Sequence, residues 1–329
     1  MKKKSVLRIR LVIIFVAFAC LSWAGSSKAQ DYPKGSVQLV IPYSPGGLTD
    51  IFWRSISEEL ARNIKGNLAL VNKPGGAGVV GTSFVVNSKP DGYTLVNASP
   101  EALTIAPAFT ETMPYDSEKD VTYIGKACVV GMAVAVRNES PFKTLEDLVA
   151  FAKANPGKLK AAGMGIAGTP HMILGVFNRE AKVDITYIPF DGGGEVVTNV
   201  MGGHTDFGIA GLPAVKGQAL SGQIRILAVC APKRLPSFPD IPTLAQKGYK
   251  KSSFSTTLGL AGPKGLDPAI VRQWETALEK TLNDPKVIAI VEKIEGVVID
   301  FKSGQDYKKE LFENASVFKE IAAAAPKKK

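Results

Sequence analysis

Short apolar runs rich in β-branched residues take turns with amphipathic helical stretches along almost the whole of this 329-residue chain, and glycine-rich loops stand at the junctions. That alternation is the tightest constraint in the sequence, because strand, helix and strand in succession fold as α/β layers around largely parallel sheets. VQLVIP reads as a strand, YSPGGLTD as a loop, and 51–64 as a helix with Ile56, Leu60 and Ile64 on one stripe. LALVN is the next strand. A short helix to about Asn87 follows the loop NKPGGAGVVG, and the turn Pro90-Asp91-Gly92 leads into the strand YTLVNA.

The pattern continues downstream. Thr144, with Asp147 three residues on, starts a helix whose stripe is Leu145, Leu148, Val149 and Ala152 and which Asn155-Pro156-Gly157 stops. Strands are expected near 158–162, 184–189, 205–210, 223–230 and 255–262. Asp267-Pro268 and Asp284-Pro285 each set a capping carboxylate before a proline at the first helical position. A last helix from about Ser303 carries Tyr307, Leu311, Ala315, Phe318 and Ala322 at three- and four-residue spacing. About 300 residues of ordinary composition bury a full core more comfortably as two domains than as one.

The start of the chain has the build of a secretory signal. Lys2, Lys3, Lys4, Arg8 and Arg10 precede an apolar run over 11–24, and Ser27 and Ala29 bracket Lys28, so cleavage is expected after Ala29. As a helix that run reaches only about 21 Å, short of the roughly 30 Å of a membrane's hydrocarbon core. No later apolar run exceeds ten residues, the longest being 127–136. The mature protein is therefore expected to be soluble and outside the cytoplasm. Six positive charges and no acid leave with the signal, so the formal +10 falls to +4, of which three sit in the terminal Lys327-Lys328-Lys329. A nearly neutral body gives no basis for nucleic-acid binding. Cys128 and Cys230 lie in apolar, strand-like runs, where buried free thiols are expected, although an oxidising compartment leaves one disulfide open.

Catalytic patterns are missing. The only histidines are His171 and His204, and there is no HExxH, CxxC or GxSxG, so the local signatures of zinc and elbow-type serine hydrolases are absent and nothing requires an enzyme, a metal or a cofactor. Gly76, Gly78 and Gly81 do fit the dinucleotide fingerprint after a strand. Glu101, the acid about twenty residues further on, lies beyond an intervening strand and not at the end of the next one, as ribose recognition requires. Four glycine loops, at 43–50, 72–81, 163–171 and 189–197, stand where strands end and helices begin. Such loops either make tight turns or present backbone N–H groups to an anion at a helix N-terminus.

The segments IPYSPGGLTD, NKPGGAGVVG, PDGYTL, MPYDSEKD, SPFKTLEDLVAFAKANPGKL, GTPH, MGGHTDFGI and RILAVCAPKRLPSFPDIPTLAQKGY occur in the order and spacing of one family. Over about 33–322 the chain resembles the tripartite tricarboxylate transporter substrate-binding receptors, the Bug family. The resemblance implies a periplasmic-binding-protein-like fold: two α/β domains, a hinge, and a cleft that closes on a small organic carboxylate for delivery to membrane permease subunits, with the receptor a monomer. By similarity, 1–29 is the signal, 30–126 plus 254–329 form domain 1, and 127–253 form domain 2. Carried over by motif, the ligand-binding candidates of domain 1 are Tyr43, Ser44, Pro45, Gly46, Gly47, Thr49 and Asp50, of which Thr49 and Asp50 read equally well as helix caps. Those of domain 2 are Gly163, Gly165, Ala167, Gly168 and Thr169, then Asp191, Gly192 and Gly193, then Ala210 and Gly211; His171 is expected to pack at a helix end. In the family NKPGGAGVVG is a turn and helix start, which makes the dinucleotide match a coincidence.

Departures from the family bear on the ligand. Members often carry hydroxyls where this chain has Gly163 and Gly168, and a basic or polar residue at Asp191, with Glu195 nearby. Fewer hydroxyls and more negative charge disfavour a tricarboxylate such as citrate. The expectation is a mono- or dicarboxylate, its body packing on Tyr43, Phe190 or Leu212. Two alternatives stay open: a receptor that signals to a membrane sensor, and an exported NAD-dependent enzyme.

Overall fold

Two β-sheets organise the chain. The computed structural model describes residues 32–324 apart from Asp191, Pro232, Pro236, Ser237 and Glu295, so the expected signal and its cleavage point at Ala29 lie outside the described residues. The first part runs β1 (Ser36–Ile41), α1 (Leu48–Ile64), β2 (Asn67–Asn72), α2 (Val79–Val86) and β3 (Thr94–Ala98). A π-type turn at Glu101–Ile105 leads into α3 (Ala106–Phe109), after which β4 (Val121–Val130) passes through Gly131 into β5 (Met132–Arg137). Next come α4 (Leu145–Ala154), β6 (Lys160–Met164), α5 (Thr169–Ala181), β7 (Thr186–Phe190), α6 (Gly193–Met201), β8 (Phe207–Gly211), α7 (Leu212–Leu220) and β9 (Ile224–Cys230). The chain ends with β10 (Thr256–Pro263), α8 (Pro268–Leu282), α9 (Pro285–Val291), β11 (Val297–Ser303), α10 (Gly304–Phe312) and α11 (Ala315–Ala324).

The first sheet has the order β11-β4-β10-β3-β1-β2 and the second β7-β6-β8-β5-β9. Both are mixed, which corrects the expectation of largely parallel sheets. β1 is parallel to β2 and β3, and β6 to β7 and β8. β10 runs antiparallel to β3 and β4, β11 to β4, and β5 to β8 and β9. The cause is the crossing: β4 leaves the first sheet and β10 returns to it, so the two must run in opposite directions, as must β5 and β9 in the second. From Gly35 onward the chain packs as one compact unit.

Period-two alternation sorts the second sheet's side chains. Met132, Val134 and Val136 of β5 join Leu145, Leu148, Ile173 and Phe177 of α4 and α5 on one face. Ala133 and Ala135 face Val196, Val200 and Val215 of α6 and α7 on the other. The first sheet buries Val40, Val96 and Ala261 against Val85 of α2 and Tyr307 and Leu311 of α10. Phe52, Trp53, Ile56 and Leu60 of α1 and Trp274 and Leu278 of α8 are also fully buried, each such large side chain contributing about 1.5–3 kcal/mol. A further cluster joins α5 to the π turn and α11 through Met172, Val176, Ile105, Phe318 and Ile321.

The helix expected from Ser303 is two helices, not one. It breaks at Glu313 and Asn314, where the Asn314 amide donates to the Lys251 carbonyl at 3.2 Å. Cys128 and Cys230 are free and buried, and burial pushes the Cys230 thiol up to about 12. Among the described residues no helix is long and apolar enough to cross a membrane.

Candidate functional site

In an open α/β sheet a ligand sits outside the carboxyl ends of the strands, where the strand order reverses. β2 lies on one side of β1 and β3 on the other, so the first sheet's reversal falls between β1 and β3, whose ends lead into 43–47 and 99–101. In the second sheet β7 and β8 flank β6, and the reversal falls between β6 and β8, whose ends lead into 165–168 and Gly211. Most of the expected ligand loops stand at these two crevices.

In the first crevice the Tyr43 and Ser99 hydroxyls are hydrogen-bonded at 2.7 Å. Burial, and then the nearby Glu101 carboxylate, push the Tyr43 phenol well above its ordinary range, against the opposing effect of the Ser99 bond. Ser44, Pro45, Gly46 and Gly47 are exposed and Thr49 is half-buried. Gly47, not Thr49, is the N-cap of α1. Asp50 is buried and holds the loop. Its carboxylate accepts from the Gly46 N–H at 2.9 Å, from Arg54 Nε at 2.9 Å and from Asn72 Nδ2 at 2.9 Å, and the same Asn72 amide donates to the Tyr43 carbonyl at 3.0 Å. Gly46 sits at φ 77°, in the left-handed region that glycine enters without strain. The Arg54 hydrogen bond first, then the Gly46 N–H and Asn72, hold the Asp50 carboxyl down at about 2, with burial opposing.

In the second crevice Gly163 is buried beneath the Tyr187 ring, and the Tyr187 hydroxyl donates to the Gly165 carbonyl at 2.9 Å. The Gly165 N–H is already taken by the Phe190 carbonyl at 3.0 Å. At Gly168 a Cβ would run into the Met164 carbonyl oxygen, so only glycine fits. His171 stacks on Tyr187 with ring centroids 4.4 Å apart and bonds the Ile166 carbonyl through Nδ1, the packing role expected of it. Ala167, Gly192, Gly193 and Gly211 are half-buried, while Ala210 is buried in β8. Asp191 lies outside the described residues. Leu212 is buried in the core with Phe190 packed against it, so of the three expected apolar ligand contacts Leu212 is withdrawn.

One feature unites these loops. The helices α1, α2, α5, α6 and α7, each following a parallel strand of one sheet or the other, start on Gly47, Gly78, Gly168, Gly192 and Gly211, and none has a side-chain cap. The helices α4, α8, α9 and α10 start on Thr144, Asp267, Asp284 and Ser303, each of whose side chains accepts a backbone N–H. An uncapped start leaves up to four N–H donors and the positive end of the helix dipole for water or an anion.

The two crevices meet at Glu101, which sequence spacing brings up only as a misplaced ribose acid. Its Oε1 accepts from the Thr169 hydroxyl at 2.7 Å and from the Thr256 hydroxyl at 2.8 Å, and the two hydroxyls are 3.1 Å apart. Thr169 opens α5 on the second sheet, whereas Glu101 and Thr256 belong to the first. The local sign is an acid set among apolar residues just past a strand, in NASPEALTIAP.

NKPGGAGVVG forms a 3-10 turn at Gly76–Gly78 and the start of α2. The strand before it, β2, is at the sheet edge, and the strand after it, β3, pairs on the far side of β1. A dinucleotide fingerprint needs those two strands adjacent, with the ribose acid at the end of the second. Gly78 instead makes room for the Tyr43 hydroxyl, 3.1 Å from where its Cβ would stand. Among the described residues no group of three or more histidine, cysteine or carboxylate side chains is placed to hold a metal.

Residues 52–324 match the model of the tripartite tricarboxylate transporter family receptor. Protein BugT of Bordetella pertussis is 28% identical over 279 residues, 84% of this chain and 86% of that one. A TctC solute binding protein from Polaromonas superposes with a TM-score of 0.80 at 25% identity, over 89% of this chain and all of that one. R. palustris Rpa4515, solved with adipate, superposes with a TM-score of 0.69 at 26% identity, over 89% of this chain and 98% of its own. The chain thus belongs to the tripartite tricarboxylate transporter receptors, the Bug solute-binding proteins, and has their two-domain α/β fold.

Proposed function

We propose that this protein is exported through residues 1–29, released after Ala29 into the periplasm, and there captures a small mono- or dicarboxylate for the membrane permease of a tripartite tricarboxylate-type transporter. It works as a monomeric receptor with no cofactor. The carrying observation is the set of three glycine-started helices without a side-chain cap, α1, α5 and α7, at the two strand-order reversals. Each end favours an anion by about 0.3–1 kcal/mol, and each N–H bonded to a carboxylate adds roughly 1.5–3 kcal/mol. Several ends together hold a carboxylate without an arginine. The adipate in the R. palustris relative, a dicarboxylate, supports the class.

Capture proceeds by closure of the lobes, taken as 30–126 with 254–329 and as 127–253. The pivot lies in the crossing at Gly131 and in the return at 253–255, just before β10. Ligand bridges loops of both lobes, and the closed form is the one the permease recognises. A thermal-shift panel of mono-, di- and tricarboxylates, amino acids and NAD tests this. At about 100 times its dissociation constant a ligand stabilises the fold by roughly 2.7 kcal/mol, about 4 °C for a chain of this length. A shift with a mono- or dicarboxylate is expected; a shift with NAD alone, or with citrate alone, refutes the reading.

A further inference from the structure

Glu101 stands in an unusual position for a carboxylate. Its Oε1 is saturated by two hydroxyls, Thr169 from one lobe and Thr256 from the other. Its Oε2 is shut off from solvent and has no hydrogen-bond partner. No ion pair among the described residues includes it. A charged acceptor out of water without a donor is costly, more so than a neutral one. The acid also lies against Thr169, the first residue of α5, whose uncapped N-terminus is one of the proposed carboxylate sites.

These facts set two conditions on a ligand. If its carboxylate takes the Thr169 N–H at the start of α5, where Pro170 has no N–H and the His171 N–H already donates to the Gly168 carbonyl at 3.0 Å, the substituent on the neighbouring carbon comes within reach of Glu101. A second negative group there meets a like charge, whereas a donor meets an acceptor in need of one. We propose that Glu101 is a specificity residue: it makes the cleft select a carboxylate carrying a hydrogen-bond donor, an ammonium or a hydroxyl, beside the carboxylate group. Parting the lobes draws Thr169 away from Glu101 and opens Oε2 to the incoming ligand; closing them brings donor and acceptor together. The inference rests on the carboxylate-receptor reading above and adds the ligand's second functional group.

Calorimetric titration with three matched series tests it: propanoate, lactate and alanine; succinate, malate and aspartate; phenylacetate, mandelate and phenylglycine. In whichever series binds, the hydroxyl or amino member is expected to bind at least about tenfold tighter than the unsubstituted acid. The amino member leads if charge decides, and the hydroxyl member keeps pace if a neutral donor suffices. Glu101→Gln keeps an acceptor for Thr169 and Thr256 but puts an amide N–H where Oε2 stood, so the preference should vanish or invert. Equal binding of substituted and unsubstituted acids by the unaltered protein overturns the inference alone, whether or not the variant folds. So does an unchanged preference in a folded E101Q protein. Binding of no acid in any series overturns the carboxylate-receptor reading and the inference with it.

Discussion

Asp50→Asn asks whether the acid beside the first loop holds protein or ligand. Asp50 is 3% exposed, and its oxygens accept from Gly46 N, Arg54 Nε and Asn72 Nδ2. Asparagine keeps the volume but puts an NH2 group at one oxygen, setting donor against donor at Gly46 and Arg54. The lost bond from Gly46 to a buried charge is worth about 1.5–3 kcal/mol. The Arg54 pair, whose guanidinium is 49% exposed, adds only about 0–1 kcal/mol after screening. Together these make about 1.5–4 kcal/mol, or a fall in melting temperature of about 2–6 °C for a chain of this length. Affinity for the carboxylate falls as well, because the loop over 43–47 loosens. Combined with Asn72→Ala the losses are non-additive, by about 0.5–3 kcal/mol.

The pH dependence carries the same signature. A carboxyl held at about 2 in the folded chain, against 3.8 ordinarily, stabilises fully above its ordinary value and loses that contribution as pH falls through the lowered one. The gap in melting temperature between the unaltered protein and the D50N variant is therefore widest near neutrality and closes toward about pH 2. A D50N protein with an unchanged melting temperature but weakened binding would show that Asp50 touches the ligand, and would refute the loop-anchor reasoning.

Two other substitutions probe the frame. Gly168→Ala drives a Cβ into the Met164 carbonyl oxygen, costing about 1–3 kcal/mol and weakening ligand binding, while Gly192→Ala, with open space around it, keeps wild-type stability; melts and titrations of the pair check this. Lys126, 1% exposed in the middle of β4, pairs with Asp300 at 2.5 Å and Glu310 at 2.7 Å. Lys126→Met strands Asp300, while Glu310 keeps Lys302 at 2.6 Å, and costs toward the lower end of about 3–5 kcal/mol, since the acids remain 23% and 25% exposed. Urea unfolding reads the loss, and adding Asp300→Asn recovers part of it.

Local chemistry was legible wherever partners lie close in the chain. The Thr144–Asp147 capping box and the Asp267 and Asp284 caps stand where the residues placed them. Apolar spacing located most of the strands to within a few residues but missed β11, and spacing carries no direction, so the antiparallel course of β5 and β10 was invisible. It also ran unbroken through Glu313 and Asn314, where a tertiary bond from Asn314 to Lys251 turns the chain. Glu101 escaped for the same reason: Thr169 and Thr256 lie 68 and 155 residues away from it. Asp50 looked like a cap or a ligand contact because Asn72, which fixes its other role, belongs to the next strand.

The place of β10 in the first sheet has a bearing on how the protein is made. It pairs with both β3 and β4, so until residue 263 has been synthesised the sheet that begins first is two unjoined pieces. Every strand of the second sheet is complete by Cys230. Nascent domains assemble in the order their parts emerge, so here the first sheet, interrupted by the second, starts early and finishes last.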